Sequence, residues 1–380
     1  MKKIALIGSS GSIGQQTLNV VRRNPDKFEI VSLSAGGNFS AFLEQVKEFS
    51  PKVATLIKQP NVDLGQFNKT EFYFGENAFI NAIIDQADIV VIALVGFKGI
   101  LAVLEAIKKG KNIALANKES LVVGGELVMK MAKEKGVSIV PIDSEHSAIW
   151  QALDFDFEKP FNKIILTASG GAFRDYTKEQ LENVKCKDAL KHPNWQMGAK
   201  ITIDCATLVN KGFEVVEAKW LYNCNFNDID VIIHRESIIH SMVEFCDGST
   251  IAQLSYPSME LPISLALTYP QRINCGIKGL DFAKLGKLTF ERLDEQKYPC
   301  FNLVVDCAKK GGAYPAVING ANDRLVGLFL QDRIYFNDIY KTLDKVVQGY
   351  NEKNDGSFNA LENANNYAIK KVNEILGCNE

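Results

Sequence analysis

The segment KIALIGSSGSIGQQTLNVVRR, near the start of the chain, limits the possible folds more than any other. An apolar run ends in Gly8, Gly11 and Gly14, spaced Gly-x-x-Gly-x-x-Gly, and Ser12 to Arg23 then reads as a helix. A strand that enters a helix through a glycine turn opens a βαβ unit. The glycines permit the tight turn and a close backbone approach, while the free N–H groups and positive dipole end of the helix face a pyrophosphate. A glycine-rich turn can also simply join a strand to a helix. Four further βα units after this one favour the dinucleotide reading.

The strands after the first are read from the runs FEIVSLS, KVATLI, DIVVIAL, KNIALA and VSIVPI, which alternate with amphipathic stretches as far as about Val140. That rhythm predicts a parallel sheet covered by helices, an α/β domain of Rossmann type. After Pro141 the pattern changes to KIILTA, DVIIH, SMVEF and TIAQLS, with polar loops between them and a helix near residues 207 to 222, as in an α+β domain. Beyond about Pro270 a linker rich in Gly and Lys leads to helical patterns at 301 to 311, 315 to 330 and 338 to 376, with an exposed loop expected within NEKNDGSFNALENANN.

Composition excludes several classes. A net charge of -2 provides no basic excess for nucleic acid, and no run approaches the roughly 18 apolar residues of a membrane span. Glycines and serines interrupt the start before a signal-peptide core can form, so the chain is expected in the cytoplasm. The eight cysteines include no Cys-x-x-Cys pair and read as reduced structural thiols.

The second strand ends at Ala35-Gly36-Gly37-Asn38, without the acid that binds the ribose hydroxyls of NAD, which points to NADP. Ser34 and Asn38 are candidate donors to its 2′-phosphate. Asn117, Lys118 and Glu119 follow another strand, at the edge of the sheet where ligands bind, although a solvated helix start explains the two charged residues equally well.

In PIDSEH, residues 141 to 146, Asp143 and Glu145 stand two apart in a segment read as extended, so their carboxylates project to one side. If buried, they need a cation between them, and oxygen-only ligation favours Mg²⁺ or Mn²⁺. In VNKGFEVVEAKW, Asn210 and Glu214 are i, i+4 and Lys211 and Glu214 are i, i+3, on one helical face. A polar loop and a surface Lys–Glu pair are the plain alternatives. Ser169-Gly170-Gly171 offers N–H groups and a hydroxyl suited to a phosphate. Trp195 and Met197, in HPNWQMG, belong either to a lid or to a loop that plugs the core.

Together GSSGSIG, ALANKESLV, PIDSEH, LTASGG, HPNWQMG, ATLVNKGFE and IIHSMVEF resemble the 1-deoxy-D-xylulose 5-phosphate reductoisomerases, in the same order and at the family's spacing, from residue 4 to about 330. PAVINGAND, at 315 to 323, is a weaker match. The resemblance implies an NADPH-binding domain at 1–143, a catalytic and dimerisation domain at 144–270, a linker at 271–297 and a helical domain at 298–380, in a homodimer formed largely through the central sheet.

It further implies that Asp143, Glu145 and Glu214 ligate Mg²⁺, Mn²⁺ or Co²⁺. Ser144, Glu145, Ser169, His192, Cys205, Asn210, Lys211 and Glu214 would surround a phosphorylated ketose, with Ser169 and Asn210 on the phosphate. Glu145, Lys211 and His192 are the catalytic candidates, with the first two competing for the role of proton acceptor. Trp195 and Met197 belong to the flap, and Ser10, Gly11, Ser12, Ile13, Gly36, Gly37, Asn38, Asn117, Lys118, Glu119 and Gly198 to the NADPH site.

Two positions depart from the family pattern: Cys205 replaces a serine on the phosphate, and Gly37 stands where many members carry a basic residue. The expected reaction is a metal-assisted rearrangement of 1-deoxy-D-xylulose 5-phosphate followed by hydride transfer from NADPH, in the non-mevalonate isoprenoid pathway. A dehydrogenase of another substrate and a non-catalytic NADP-binding regulator are the competing readings.

Overall fold

A computed structural model describes residues 1–182, 184–191, 193–195, 197–352 and 355–378. The chain forms two compact units. One comprises Met1–Ser120, Val128–Ser147 and Ser258–Ile277, and the other Leu121–Leu127, Ala148–Pro257 and the chain from Lys278 onward.

In the first unit β1 (Lys2–Ile7), β2 (Phe28–Ala35), β3 (Val53–Leu56), β4 (Glu71–Phe74), β5 (Ile89–Ile92), β6 (Asn112–Leu115) and β7 (Ile139–Pro141) form one sheet in the order β4-β3-β2-β1-β5-β6-β7. Every pairing is parallel. The chain winds outward from β1 to β4, then returns to place β5 against β1. The switch point of the sheet therefore lies between β1 and β5, where an open α/β sheet binds its ligand.

Six of the seven strands match the sequence runs. β4, EFYF, is the exception: as a half-buried edge strand of four residues it lacks the apolar run that marks its buried neighbours. The helix Ser12–Arg23 buries Gly14, Thr17, Leu18, Val20 and Val21 against the sheet, the i, i+3, i+4 stripe of an amphipathic helix. A second helix, Glu260–Thr268, arrives from far along the sequence. It adds Ile263, Ala266 and Leu267 to the core built on Leu6, Leu18, Ile30 and Val91. Burial of each large side chain contributes about 1.5–3 kcal/mol, and Lys2 Nζ fixes the helix end by donating to the Leu267 carbonyl at 2.8 Å.

In the second unit β8 (Lys163–Ala168), β9 (Ile229–Ile233), β10 (Ile239–Glu244), β11 (Thr250–Leu254) and β12 (Glu291–Arg292) take the order β11-β10-β8-β9-β12. Only β8 and β9 run parallel. The helix expected near 207 to 222 spans Val209–Leu221 and is preceded by Ala199–Thr207, with Leu208 at φ +58° making the corner between them.

Four helices close the chain: Pro299–Lys310, Tyr314–Leu330, Phe336–Gln348 and Phe358–Leu376. The pattern at 338 to 376 is thus two helices. Gly356, at φ +76°, breaks the continuity, and the Ser357 side chain caps the second helix by accepting from Ala360 N.

Candidate functional site

The glycine turn sits at the switch point. Gly8 adopts φ +98°, and a Cβ there would lie 2.6 Å from the Ala93 carbonyl oxygen, just past β5. A Cβ on Gly14 would lie 2.2 Å from the Gly8 oxygen, so the helix start rests directly on the turn. No acidic residue occupies the first turn of Ser12–Arg23, and its Ncap, Gly11, has no side chain to claim the leading N–H groups. This cradle suits a pyrophosphate.

Around it Ser10 and Ile13 are half-buried, while Gly11, Ser12, Gly36, Gly37 and Asn38 are exposed. The Asn38 side-chain oxygen accepts from Ala41 N at 3.3 Å and caps the helix Phe39–Phe49, which leaves its amide N–H groups as the donors it can offer a phosphate.

Asn117 knits together the loops that follow β5 and β6. Its side-chain nitrogen lies 3.1 Å from the Gly96 carbonyl, and its oxygen accepts from Ser120 N at 3.1 Å. Glu119 receives the Gly96 N–H at 3.2 Å. Lys118 and Glu119 are both buried, which excludes the solvated helix start. Lys118 forms an ion pair with the carboxylate of Asp143.

PIDSEH departs from the extended segment read from sequence. β7 stops at Pro141 and Ser144–Ala152 is a helix. The Asp143 carbonyl accepts from Ser147 N at 2.8 Å, and its carboxylate accepts from Glu145 N at 3.3 Å. Asp143 therefore caps the helix, and capping, not strand alternation, brings the two acids near each other. Burial pushes the Asp143 carboxyl up, but the charges of Lys118 and His146 outweigh it and hold the group well below the usual carboxylate range. Ser144 Oγ donates to Glu145 at 2.6 Å.

On Val209–Leu221 the predicted face is present and buried. Asn210 Nδ2 donates to Glu214 at 2.6 Å, and Lys211 Nζ pairs with the same carboxylate. Glu214 is 1% exposed and Lys211 4%, so the surface-pair alternative fails. Asp143 and Glu145 on the first unit and Glu214 on the second are the acids that could hold a metal ion, and three hard oxygen donors fit Mg²⁺ or Mn²⁺.

Ser169, Gly170 and Gly171 follow β8. Gly170 and Gly171 have φ +81° and +70°, and a Cβ on Gly171 would meet the Cys205 carbonyl oxygen at 2.4 Å. The glycines thus let the loop press against the helix Ala199–Thr207, on which Cys205 is partly exposed. Trp195 is half-buried and meets the His240 ring in a T-shaped contact, centroids 5.9 Å apart. Met197 is half-buried, and Gly198 is the exposed Ncap of Ala199–Thr207. His192 lies outside the described residues.

Sequence reading missed the residues that hold these loops from behind. Tyr298 OH donates to the Gly170 carbonyl at 3.0 Å, and Arg174 Nη1 to the Ser169 carbonyl at 3.2 Å. Tyr298 is 128 positions from its partner, and no local spacing marks such a contact. All eight cysteines are free, as expected.

A glycine cradle at a switch point, together with the buried acids Asp143 and Glu214 and the half-buried Glu145, defines a nicotinamide-dependent oxidoreductase with a hard-cation centre. Three family models match the chain. Their descriptions are 1-deoxy-D-xylulose 5-phosphate reductoisomerase at residues 4–125, its C-terminal domain at 139–222, and DXP reductoisomerase C-terminal domain at 254–375.

The chain is 44% identical, over 380 residues and 99% of both proteins, to 1-deoxy-D-xylulose 5-phosphate reductoisomerase 1 of Bacillus thuringiensis subsp. konkukian. It is 45% identical to the reductoisomerase of Chlorobium limicola over 382 residues, 99% of this chain and 100% of that one. The Zymomonas mobilis reductoisomerase in complex with NADPH superposes with a TM-score of 0.91 at 36% identity, over 99% of each chain. A DOX-P reductoisomerase in complex with NADPH, fosmidomycin and magnesium also gives 0.91 at 36%, over 99% of this chain and 98% of that one. The chain belongs to the 1-deoxy-D-xylulose 5-phosphate reductoisomerase family.

Proposed function

We infer that the chain rearranges 1-deoxy-D-xylulose 5-phosphate and reduces the product with NADPH to 2-C-methyl-D-erythritol 4-phosphate, a step of the non-mevalonate route to isoprenoid precursors. The observation that carries this is 44% identity across 99% of both chains, with all three carboxylates in place.

In this reading Asp143, Glu145 and Glu214 hold Mg²⁺, Mn²⁺ or Co²⁺. Such an ion, when bound, polarises the substrate carbonyl and acidifies the adjacent hydroxyl. Ser169 and Asn210 bind the phosphate, with Cys205 offering a weaker donor than the family's serine. Ser144 and Lys211 contact the ketose. Because Lys211 Nζ already donates to Glu214, it is assigned as a donor to substrate oxygens, and Glu145 as the proton acceptor. His192 is assigned to the substrate, and Trp195 and Met197 to the flap that excludes water from the intermediates.

On the cofactor side, Ser10, Gly11, Ser12 and Ile13 face the pyrophosphate, and Gly36, Gly37 and Asn38 the adenosine 2′-phosphate. Asn117, Lys118, Glu119 and Gly198 complete that site. A cytoplasmic homodimer joined through the five-stranded sheet is also proposed. β11 is an edge strand of that sheet, with Ile251 exposed. No described helix is long and apolar enough to cross a membrane.

The test is loss of NADPH absorbance on adding 1-deoxy-D-xylulose 5-phosphate, with and without Mn²⁺. Metal-dependent oxidation is expected, and its absence would sink the reading.

A further inference from the structure

We propose that Arg174 is a positioning residue that couples the phosphate loop, Ser169 to Gly171, to the flap through one shared acceptor, the backbone carbonyl of Arg235. Arg174 Nη1 lies 3.2 Å from the Ser169 carbonyl and 3.0 Å from the Arg235 carbonyl. Its two hydrogens serve one oxygen each. Asn194 Nδ2, beside Trp195, donates to the same Arg235 oxygen at 2.6 Å and to Ser237 Oγ at 2.7 Å. A carbonyl oxygen has two lone pairs, and here one is taken by each segment.

The acceptor belongs to a strained turn held by several hydrogen bonds. Ser237 N donates back to the His234 carbonyl at 3.2 Å, and Ser237 itself holds φ +52°, a left-handed conformation that needs outside support. His234 is fully buried. Its Nδ1 lies 2.9 Å from the Thr289 carbonyl, and its Nε2 accepts from Ile238 N at 3.2 Å and Ile239 N at 3.1 Å. On the Arg174 side, Lys297 Nζ donates to the Arg174 carbonyl at 2.6 Å.

The phosphate loop and the flap therefore share one acceptor on a strained turn, and loss of either donor loosens the turn that orients the other. A flap seated on Arg235 would set the Ser169 carbonyl through Arg174, and an ordered phosphate loop would in turn favour a seated flap, as reciprocal coupling requires.

The inference rests on the reading that Ser169 meets the substrate phosphate and that Trp195 covers it, so the experiment has an arm independent of turnover. Arg174→Gln, Arg174→Lys, Asn194→Ala and the double variant Arg174→Gln/Asn194→Ala are compared with the wild type by hydrogen–deuterium exchange. Arg174→Gln should speed exchange in peptides containing Asn194 and Trp195, and Asn194→Ala in peptides containing Ser169 to Gly171. Changes confined to each variant's own segment would overturn the coupling. Arg174→Lys keeps the charge but not the two-pronged geometry, and serves if the glutamine variant does not fold.

In steady-state assays with 1-deoxy-D-xylulose 5-phosphate, Asn194→Ala should raise KM about 5-fold and Arg174→Gln about 10-fold. The double variant should stay near 10-fold, not the roughly 50-fold that independent effects would give. Multiplicative effects, or lower kcat with KM unmoved, would leave Arg174 a merely structural residue. If the wild type does not turn over this substrate, the functional reading fails, while the exchange data still decide the coupling.

Discussion

Gly14→Ala tests the cofactor cradle through steric contact alone. Gly14 lies inside the helix Ser12–Arg23, where alanine is otherwise favoured over glycine by about 1 kcal/mol. The added methyl carbon would lie 2.2 Å from the Gly8 oxygen and 2.6 Å from Ser9 Cα. Both are backbone atoms, so no side chain can swing aside and the helix start must move by about 1 Å to reach ordinary contact. Overpacking of that kind costs about 1–3 kcal/mol, which propensity offsets only in part.

The same shift carries the leading N–H groups away from the pyrophosphate. Misaligning one charge-assisted bond, worth about 1.5–3 kcal/mol, weakens NADPH at least about tenfold. Fluorescence titration of NADPH reads this directly. Gly327→Ala, in the helix Tyr314–Leu330 and outside the proposed site, is the control: as at Gly37, no atom lies within 4 Å of the added carbon, and it should bind as the wild type does. A Gly14→Ala protein that binds NADPH within twofold of wild type would refute the placement of the pyrophosphate on this helix.

The open space at Gly37 also admits a cation. Gly37→Arg should tighten NADPH by about 2- to 5-fold at low salt and less at high salt, with NADH unchanged; equal effects on both cofactors would move the 2′-phosphate elsewhere. Glu214→Gln removes a counter-charge from beside the buried Lys211 and one anion from the carboxylate set, so turnover should fall by about 100-fold or more while the NADPH Kd holds. Retained turnover would remove Glu214 from the metal shell. Burial pushes the thiols of Cys300 and Cys307 up to about 12. A thiol reagent at about pH 8 should label exposed Cys246 first and leave both silent until denaturant is added. Their unfolded counterparts ionise from about pH 8.5, so unfolding releases protons above that pH. Their contribution to stability is present below it and declines as pH rises toward 12, which urea midpoints at about pH 8 and 10 would show.

Much of the fold was legible because the first unit depends on local signals. Continuous apolar runs announced six buried parallel strands, and the glycine turn announced the helix that follows the first. What escaped was either weakly marked or distant in sequence. β4 is short and half-exposed, so its EFYF carries no run to separate it from the loops around it. The helix Glu260–Thr268 is apolar on all sides and signals burial clearly, yet nothing in ELPISLALT tells which core receives it. That choice is made by Leu18, Ile4 and their neighbours some 240 positions earlier, through surface complementarity that periodicity cannot express.

At the site, the contacts that followed helical spacing were the legible ones. Asn210, Lys211 and Glu214 meet as the i, i+3 and i, i+4 rule requires, and only the depth of their burial had to come from the fold. Asp143 and Glu145 came out close together for a different reason than alternation. A strand reading and an N-cap reading both bring these two acids to one side, but only the cap spends one Asp143 oxygen on the Glu145 N–H. Lys118 shows the limit more sharply. Its sequence position assigns it to the dinucleotide, while its ammonium group pairs with a proposed metal ligand. If both assignments hold, replacing Lys118 with Met should perturb metal affinity as well as NADPH binding, because Asp143 would lose the charge that keeps its buried carboxylate ionised. A Lys118→Met protein with altered NADPH affinity and unchanged Mn²⁺ affinity would show that the ion pair is not part of the metal site's electrostatics.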